Sequence, residues 1–216
     1  MIQNLYQYAS IIALNGSDSY SIEIVDWSKK VIAVDGALKT LNDLDINIDY
    51  IVGDLDSINQ PDLISKYKSK FHHKPDQNTT DFEKAIKLVR ELSLTPSLIL
   101  GINGKEIDHI LNNIHVMVKH HEFDGEFFFL DCQNNSPAKI GIIVTKSKLL
   151  NCGAGKTISI FPFPSASLTT YGLQYPIYKK TINQCSGILC ARNKSVLDEV
   201  EIIVHEGLIL VTFDIF

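Results

Sequence analysis

The period of the hydrophobic pattern changes once along this chain, and that change limits the folds open to it. From residue 10 to about 131, short β-prone runs alternate with longer stretches of helical period; after about residue 132 the helical periods stop. Strand–helix alternation buries both kinds of element as a mostly parallel sheet with helices on its faces. A succession of short strands separated by turn residues closes instead as an antiparallel sandwich or barrel. In the first part the strand candidates are Ser10 to Leu14, Val31 to Val34, Tyr50 to Val52, Leu98 to Leu100 and Glu126 to Leu130. Between them, Ala37 to Leu44, Pro61 to Tyr67, Thr80 to Leu92 and Ile107 to His121 carry helical period. The third is the clearest, because Phe82, Ala85, Ile86, Val89 and Leu92 share one helical face while Lys84, Lys87 and Glu91 fall off it. Thr80, with Glu83 three residues on, predicts a capping box at its start.

In the second part Gly, Pro, Asn and Ser punctuate the β-prone runs Ile140 to Lys146, Thr157 to Phe161, Leu168 to Tyr171, Gly187 to Ala191, Val200 to His205 and Leu208 to Phe213. A tight turn is expected at Glu206-Gly207, and Gln133-Asn134-Asn135-Ser136-Pro137 is the most linker-like stretch. The expected fold is therefore α/β: a Rossmann-like, mostly parallel sheet domain over residues 1–132, then an antiparallel β-sandwich domain over 133–216.

Charge narrows the function classes. Lys and Arg total 20 against 25 Asp and Glu, a formal net charge of -5, which speaks against a general nucleic-acid binder. Arg90 and Arg192 are the only arginines, so phosphate handling falls to lysines, backbone amides or metal rather than to arginine clusters. Cys132, Cys152, Cys185 and Cys190 show no Cys-x-x-Cys spacing and are read as free thiols of a reduced compartment. The start of the sequence lacks the basic segment and apolar run of a signal peptide, and no run approaches the length of a membrane span. A soluble, cytoplasmic protein is expected.

Acidic residues recur where a strand ends and a helix is about to begin. Asp35-Gly36 follows the second strand and Gly53-Asp54-Leu55-Asp56-Ser57 the third; Asp76 to Asp81 precedes the best helix; Gly101 to His109 joins the fourth strand to the last helix. In an open parallel sheet the carboxyl ends of the strands share one edge, and ligands bind there. These clusters, distant in sequence, would converge in one crevice. In an extended segment Asp54 and Asp56 point the same way, as a hard cation requires. Each piece also has a plainer reading: Asp35 or Asp108 alone serves as a helix cap or Asx-turn, and Asp81 as a first-turn carboxylate favoured by the helix dipole. Taken together, the four clusters point to Mg²⁺-dependent work on a polyphosphate. Gly155-Lys156-Thr157 has the ending of a P-loop, but the required first glycine would fall at Leu150 and a β-prone run follows, so it is read as a turn.

These residues resemble the thiamine pyrophosphokinase family, whose members transfer the pyrophosphoryl group of ATP to the hydroxyl of thiamine. Asn15-Gly16, Asp35-Gly36-Ala37 and Gly53-Asp54-Leu55-Asp56-Ser57 are similar, in order, to three of its motifs. Pro75 to Ala85 resembles its Pro-x-Gln-Asp-x-Thr-Asp-Phe-x-Lys-Ala signature, Gly101 to His109 its Gly-rich segment ending in Asp-His, and Gly172-Leu173-Gln174-Tyr175-Pro176 its Gly-Leu-x-Tyr/Trp-Pro segment. The resemblance implies a homodimer with the thiamine site between subunits, no nucleic-acid or membrane partner, and Mg²⁺ as cofactor held by Asp54, Asp56 and Asp81. It implies an ATP-binding set of Asn15, Asp35, Gly36, Ser57, Gln77, Thr80, Lys84, Gly101, Gly104 and Lys105. Asp108 would lie near the reacting groups, with Asp81 or Asp108 accepting the hydroxyl proton.

The sequence also departs from the family pattern. Asn78 stands where the signature carries Asp, Gly104-Lys105-Glu106 replaces Gly-Gly-Arg, Lys39 stands where Asn is common, and Ala191-Arg192 takes the place of the Ser-Asn that helps hold thiamine. The aromatic candidates for stacking an acceptor ring are Phe161, Phe163, Tyr171, Tyr175 and Tyr178. Two further functions stay open at this point: a pyrophosphokinase with another hydroxymethyl acceptor such as a pterin, and a non-catalytic nucleotide- or thiamine-binding regulator on the same fold.

Overall fold

The computed structural model describes residues 7–16, 20, 23–53, 61–72, 78–104, 106–132, 137–185 and 190–215. The chain divides into two compact units, Met1–His120 and His121–Phe216. The division falls at the end of the last helix, ahead of the 132/133 boundary expected from the linker-like stretch. Strand β5 (Phe127–Asp131) counts with the second unit because it pairs antiparallel with β6 (Lys139–Val144).

In the first unit the strands β1 (Ser10–Ala13), β2 (Lys30–Val34), β3 (Tyr50–Val52) and β4 (Ser97–Leu100) form an all-parallel array in the order β4-β1-β2-β3. Their residues are almost all buried, as expected for parallel strands covered on both faces. Helix α1 (Ala37–Asp43) follows β2, α2 (Pro61–Tyr67) follows β3, and α3 (Asp81–Glu91) precedes β4. Helix α4 (Ile107–Lys119) comes after β4. Helix α3 buries Phe82, Ala85, Ile86 and Val89 of the face that the sequence period marks out, and Leu88 besides, but Leu92, just past its last turn, is 38% exposed. Thr80 caps the helix in the expected capping box. Helix α4 buries only Val116 and Met117, and leaves Ile107 and Leu111 75% and 53% exposed.

The second unit is built on two long antiparallel strands, β8 (Thr157–Tyr171) and β11 (Glu199–Asp214), paired along nearly their full length. The sequence reads each as two short strands. The turn expected at Glu206-Gly207 is instead a bulge within β11: the register shifts on both sides of it, and Gly207 has φ +81. A Cβ there would sit 2.2 Å from the Ser165 carbonyl oxygen, so only glycine lets the two strands pass this point. The first half of β11 also pairs with β7 (Ser147–Asn151) and the second half with β6. Strands β9 (Lys180–Asn183) and β10 (Cys190–Lys194) flank the two halves of β8. Gly153 and Gly155, with φ +84 and +79, make the connection from β7 to β8 a turn, as the P-loop-like segment was read. All four cysteines are free thiols; Cys152 is buried and Cys185 exposed. The protein is thus a mixed α/β chain, and among the described residues no helix is long and apolar enough to cross a membrane.

Candidate active site

Strand order places the site. From β1 the chain moves outward through β2 and β3, then returns to the other side of β1 with β4. The carboxyl ends of β1 and β4 therefore mark the point where the direction of winding reverses, the place where open α/β sheets bind ligands. A cleft of about 330 Å³ opens there, lined by Leu14, Asn15, Val34, Asp35, Thr80, Asp81, Phe82, Gly101, Gly104, His109, Asn112 and Asn113.

Backbone contacts set the floor of this cleft. Leu14 donates its N–H to the Leu100 carbonyl at 2.9 Å, and the two loops then cross with almost no space between them. A Cβ on Gly16 would lie 1.9 Å from the Gly101 oxygen, and one on Gly101, at φ +70, 2.3 Å from the Leu14 oxygen. Next to them, the Asn15 amide lies over Gly36, where a Cβ would meet its Nδ2 at 2.3 Å. Asp35 adopts φ +49, and its N–H donates to the Val52 carbonyl at 2.8 Å. Gly53 passes so close that a Cβ on it would be 3.2 Å from the Asp35 Cα. Gly53, the last described residue of this stretch, thus lies directly beside Asp35.

Helix α3 supplies the next wall. Thr80 Oγ1 accepts the Glu83 N–H at 3.2 Å, while Glu83 Oε2 accepts the Thr80 N–H at 3.2 Å. The box holds the chain so that Thr80 and Asp81 face the cleft. Asp81 Oδ1 accepts from Lys84 Nζ at 2.8 Å, one turn along the helix. Glu83 itself is 4% exposed. Its Oε1 accepts from Lys119 Nζ at 2.5 Å and lies 2.8 Å from His120 Nε2. Burial alone would raise its pKa. The hydrogen bonds from Lys119, His120 and the Thr80 N–H outweigh that and hold it at about 2.

Helix α4 closes the opposite wall with His109, Asn112 and Asn113, which share a face at i, i+3 and i+4. Asn113 Nδ2 donates to the Ile102 carbonyl at 3.2 Å, tying the helix to the loop after β4. Asp108 stands one residue before His109, about a quarter-turn off that face. It is exposed, accepts the N–H of His109 at 2.8 Å, and is not among the lining residues.

Of the residues marked out from the sequence, the structure brings Asn15, Asp35, Thr80, Asp81, Gly101 and Gly104 to one cleft, with Gly36 under Asn15 and Lys84 on Asp81. Asp54, Asp56, Ser57, Gln77 and Lys105 lie outside the described residues. His109, Asn112 and Asn113 are additional lining residues; the Gly-rich segment ends in Asp108-His109, but nothing in the sequence marks Asn112 and Asn113. Among the described residues no group of three or more His, Cys, Asp or Glu converges as a metal cage. The cleft does hold two carboxylates, Asp35 and Asp81, and oxygen donors of this kind suit Mg²⁺, which takes few protein ligands and completes its shell with water and phosphate.

In the second unit Tyr171, Tyr175 and Tyr178 are 48%, 69% and 65% exposed, and Tyr171 and Tyr178 meet edge to face with centroids 6.2 Å apart. Asn193, one position beyond the Ala191-Arg192 pair, is buried. Its Oδ1 accepts the Tyr175 N–H at 3.1 Å and its Nδ2 donates to the Tyr175 carbonyl at 2.8 Å. The polar side chain that β10 offers to the Gly172–Pro176 segment is therefore Asn193.

Known families and solved structures match most of this chain. The family described as thiamin pyrophosphokinase, catalytic domain, matches residues 22–129, and that described as thiamin pyrophosphokinase, vitamin B1 binding domain, matches residues 143–209. Among solved structures, the thiamine pyrophosphokinase from Bacillus subtilis is similar at TM-score 0.81 and 21% identity, covering 95% of this chain and 98% of that one. The thiamin pyrophosphokinase from Candida albicans is similar at TM-score 0.75 and 18% identity, covering 97% and 90%. The yeast enzyme gives TM-score 0.75 and 18% identity, covering 97% and 86%. No curated protein sequence matches the chain. At these identities the solved structures speak for the fold, whereas the two sequence matches, in order and spanning most of the chain, carry the assignment: this chain belongs to the thiamin pyrophosphokinase family.

Proposed function

We infer that this protein transfers the pyrophosphoryl group of ATP to the hydroxyl of thiamine, giving thiamine diphosphate and AMP. The observation that carries this reading is the match to a catalytic and a vitamin B1 binding domain of one family, in order on one chain. It is supported by a cleft at the point of winding reversal, where Asp35, Thr80 and Asp81 gather. The cleft takes ATP, with Asn15, Asp35, Gly36, Ser57, Gln77, Thr80, Lys84, Gly101, Gly104 and Lys105 as its binding set. Asp54, Asp56 and Asp81 would hold Mg²⁺, which supplies neutralisation of the charge that builds on the phosphates during transfer. The rest falls to position and proton handling: Thr80 and the amides of the Gly101–Gly104 loop orient the nucleotide, and a carboxylate takes the proton of the attacking hydroxyl.

The finer architecture we propose is a Rossmann-like α/β catalytic part and a β-sandwich part that binds thiamine. The acceptor would stack on tyrosines of the second unit, whose exposed rings suit a flat cation. We propose a cytoplasmic homodimer with the thiamine site between subunits; the exposed Ile107 and Leu111 of α4 support the dimer, since a second copy would take such apolar surface out of water.

The test is AMP release from ATP and Mg²⁺, with and without thiamine, on the wild type and on Asp54→Asn/Asp56→Asn. Thiamine-dependent AMP in the wild type, reduced at least 100-fold in the double variant, is expected. ATP binding without AMP release would make the chain a nucleotide-binding regulator; AMP release with a pterin alcohol and not with thiamine would change the acceptor.

A further inference from the structure

We propose that Glu83 is a positioning residue: it sets the separation of the two helices whose side chains face each other across the nucleotide cleft. This role rests on the ATP reading of that cleft. Thr80 and Asp81 at the start of α3 form one wall, and His109, Asn112 and Asn113 on α4 form the other. The α3 wall is packed on the core through Phe82, Ala85, Ile86, Leu88 and Val89, but the α4 wall is not fixed in this way, since α4 buries only Val116 and Met117.

Glu83 joins the two walls through one carboxylate. Its Oε2 holds the Thr80 N–H at 3.2 Å and its Oε1 holds Lys119 Nζ at 2.5 Å and His120 Nε2 at 2.8 Å. Arg90, at the other end of α3, donates from Nη2 to the His120 carbonyl at 2.5 Å, so the C-terminal turn of α4 is held at two points along α3. A capping box needs only the local half of this arrangement, the reciprocal bonds between Thr80 and Glu83. The second oxygen, spent on residues 36 and 37 positions away, goes beyond capping. Glu83 is 4% exposed and absent from the cleft lining, so it acts through Thr80, Asp81 and α4 and not by touching the nucleotide. A buried carboxylate that keeps its charge by such bonds is rigid, because moving it would strand that charge without partners.

The test compares ATP affinity by titration calorimetry, with ATP and Mg²⁺ and no thiamine, for the wild type, Glu83→Ala, Glu83→Gln and Lys119→Met. Circular dichroism and a cooperative melt establish that each is folded, and steady-state KM is read separately for ATP and thiamine. We expect Glu83→Ala to weaken ATP about tenfold or more with KM for thiamine unchanged. Glu83→Gln, which keeps the shape and two acceptor contacts, should recover most of that loss. Lys119→Met, which leaves the capping box intact and cuts the tether to α4, should weaken ATP severalfold. Lys119 is largely exposed, so that variant decides the matter even if Glu83→Ala does not fold. Wild-type ATP affinity in folded Glu83→Ala or in Lys119→Met overturns the inference, as does an equal loss for both substrates. Absence of ATP binding in the wild type itself would instead sink the ATP reading of the cleft, and the inference with it.

Discussion

Where the loops after β1 and β4 cross, the backbone leaves no room for a methyl group on Gly16, which would land 1.9 Å from the Gly101 oxygen. We expect Gly16→Ala to lose about 2–3 kcal/mol of stability in urea denaturation, because the neighbour that must give is backbone rather than a flexible side chain. The same substitution at Gly125, where a Cβ meets nothing within 4 Å, should cost only the strain of its φ +83, about 1 kcal/mol. The carboxylates divide in a similar way. Asp81 faces the cleft and Asp108 does not, so Asp81→Asn should lower kcat/KM at least 100-fold, while Asp108→Asn should stay within about threefold of wild type in the AMP assay. A wild-type-like Asp81→Asn would remove Asp81 from the proposed metal set. The motif at Asp35, Thr80 and Asp81 was legible in the sequence because strand ends of a parallel sheet converge by topology. The side chains of α4 were not: the motif marks Asp108, and only the helix's rotation on the loop decides that His109, one residue on, is the one facing inward.

Among the elements, α3 was the easiest to foresee and β11 the hardest. A capping box and an apolar face are local, written within a dozen residues, and Thr80 and Glu83 hold each other as their spacing predicts. Glu83's partners on α4 were illegible because nothing local to Glu83 announces a lysine and a histidine so far along the chain. Strands β8 and β11 were each split in two because Pro and Gly ordinarily end a strand, while here the bulge at Glu206-Gly207 absorbs the irregularity and pairing resumes beyond it. The inner end of this ribbon carries a titratable lock. Asp214 is buried, bonds Lys139, and accepts the Thr157 N–H at 3.1 Å. Burial alone would raise its pKa; the bonds from Lys139 and Thr157 bring it below its ordinary 3.8. A carboxyl depressed on folding stabilises fully above its unfolded pKa, and that share is lost as pH falls through the lower folded value. Stability should therefore decline as pH drops below about 4. Asp214→Asn should be less stable at neutral pH and show a shallower decline across that window, measured by urea midpoints at several pH values. An unchanged slope would mean that other carboxyls carry the acid sensitivity.

Taken as a chain of two units, the protein encodes the fold of each differently. The first is built from neighbouring strand–helix pairs, so its order was legible from period alone. In the second, β7 finds its partner only in β11, far along the chain, so no local pattern marks it. Strand β9 pairs with its sequence neighbour β8 but is a four-residue strand with a single buried side chain, Ile182. For the proposed dimer, light scattering should give twice 24.2 kDa, and Leu111→Glu, placing a charge on the exposed stripe of α4, should shift it toward 24.2 kDa. An unchanged mass in that variant would put any dimer contact elsewhere. The pairing of β11 has a further consequence for how this protein is made. Strands β6, β7 and β8 each pair with Glu199–Asp214. Although β6 also has β5, and β8 has β9 and β10, the unit completes its pairing during synthesis only once that segment is available. The first unit needs nothing from that segment for its parallel array, and can reach its fold while the second is still an open, aggregation-prone intermediate. A stalled nascent chain lacking Glu199–Asp214 would on this account protect the cleft from protease and leave the tyrosine-bearing unit open to it.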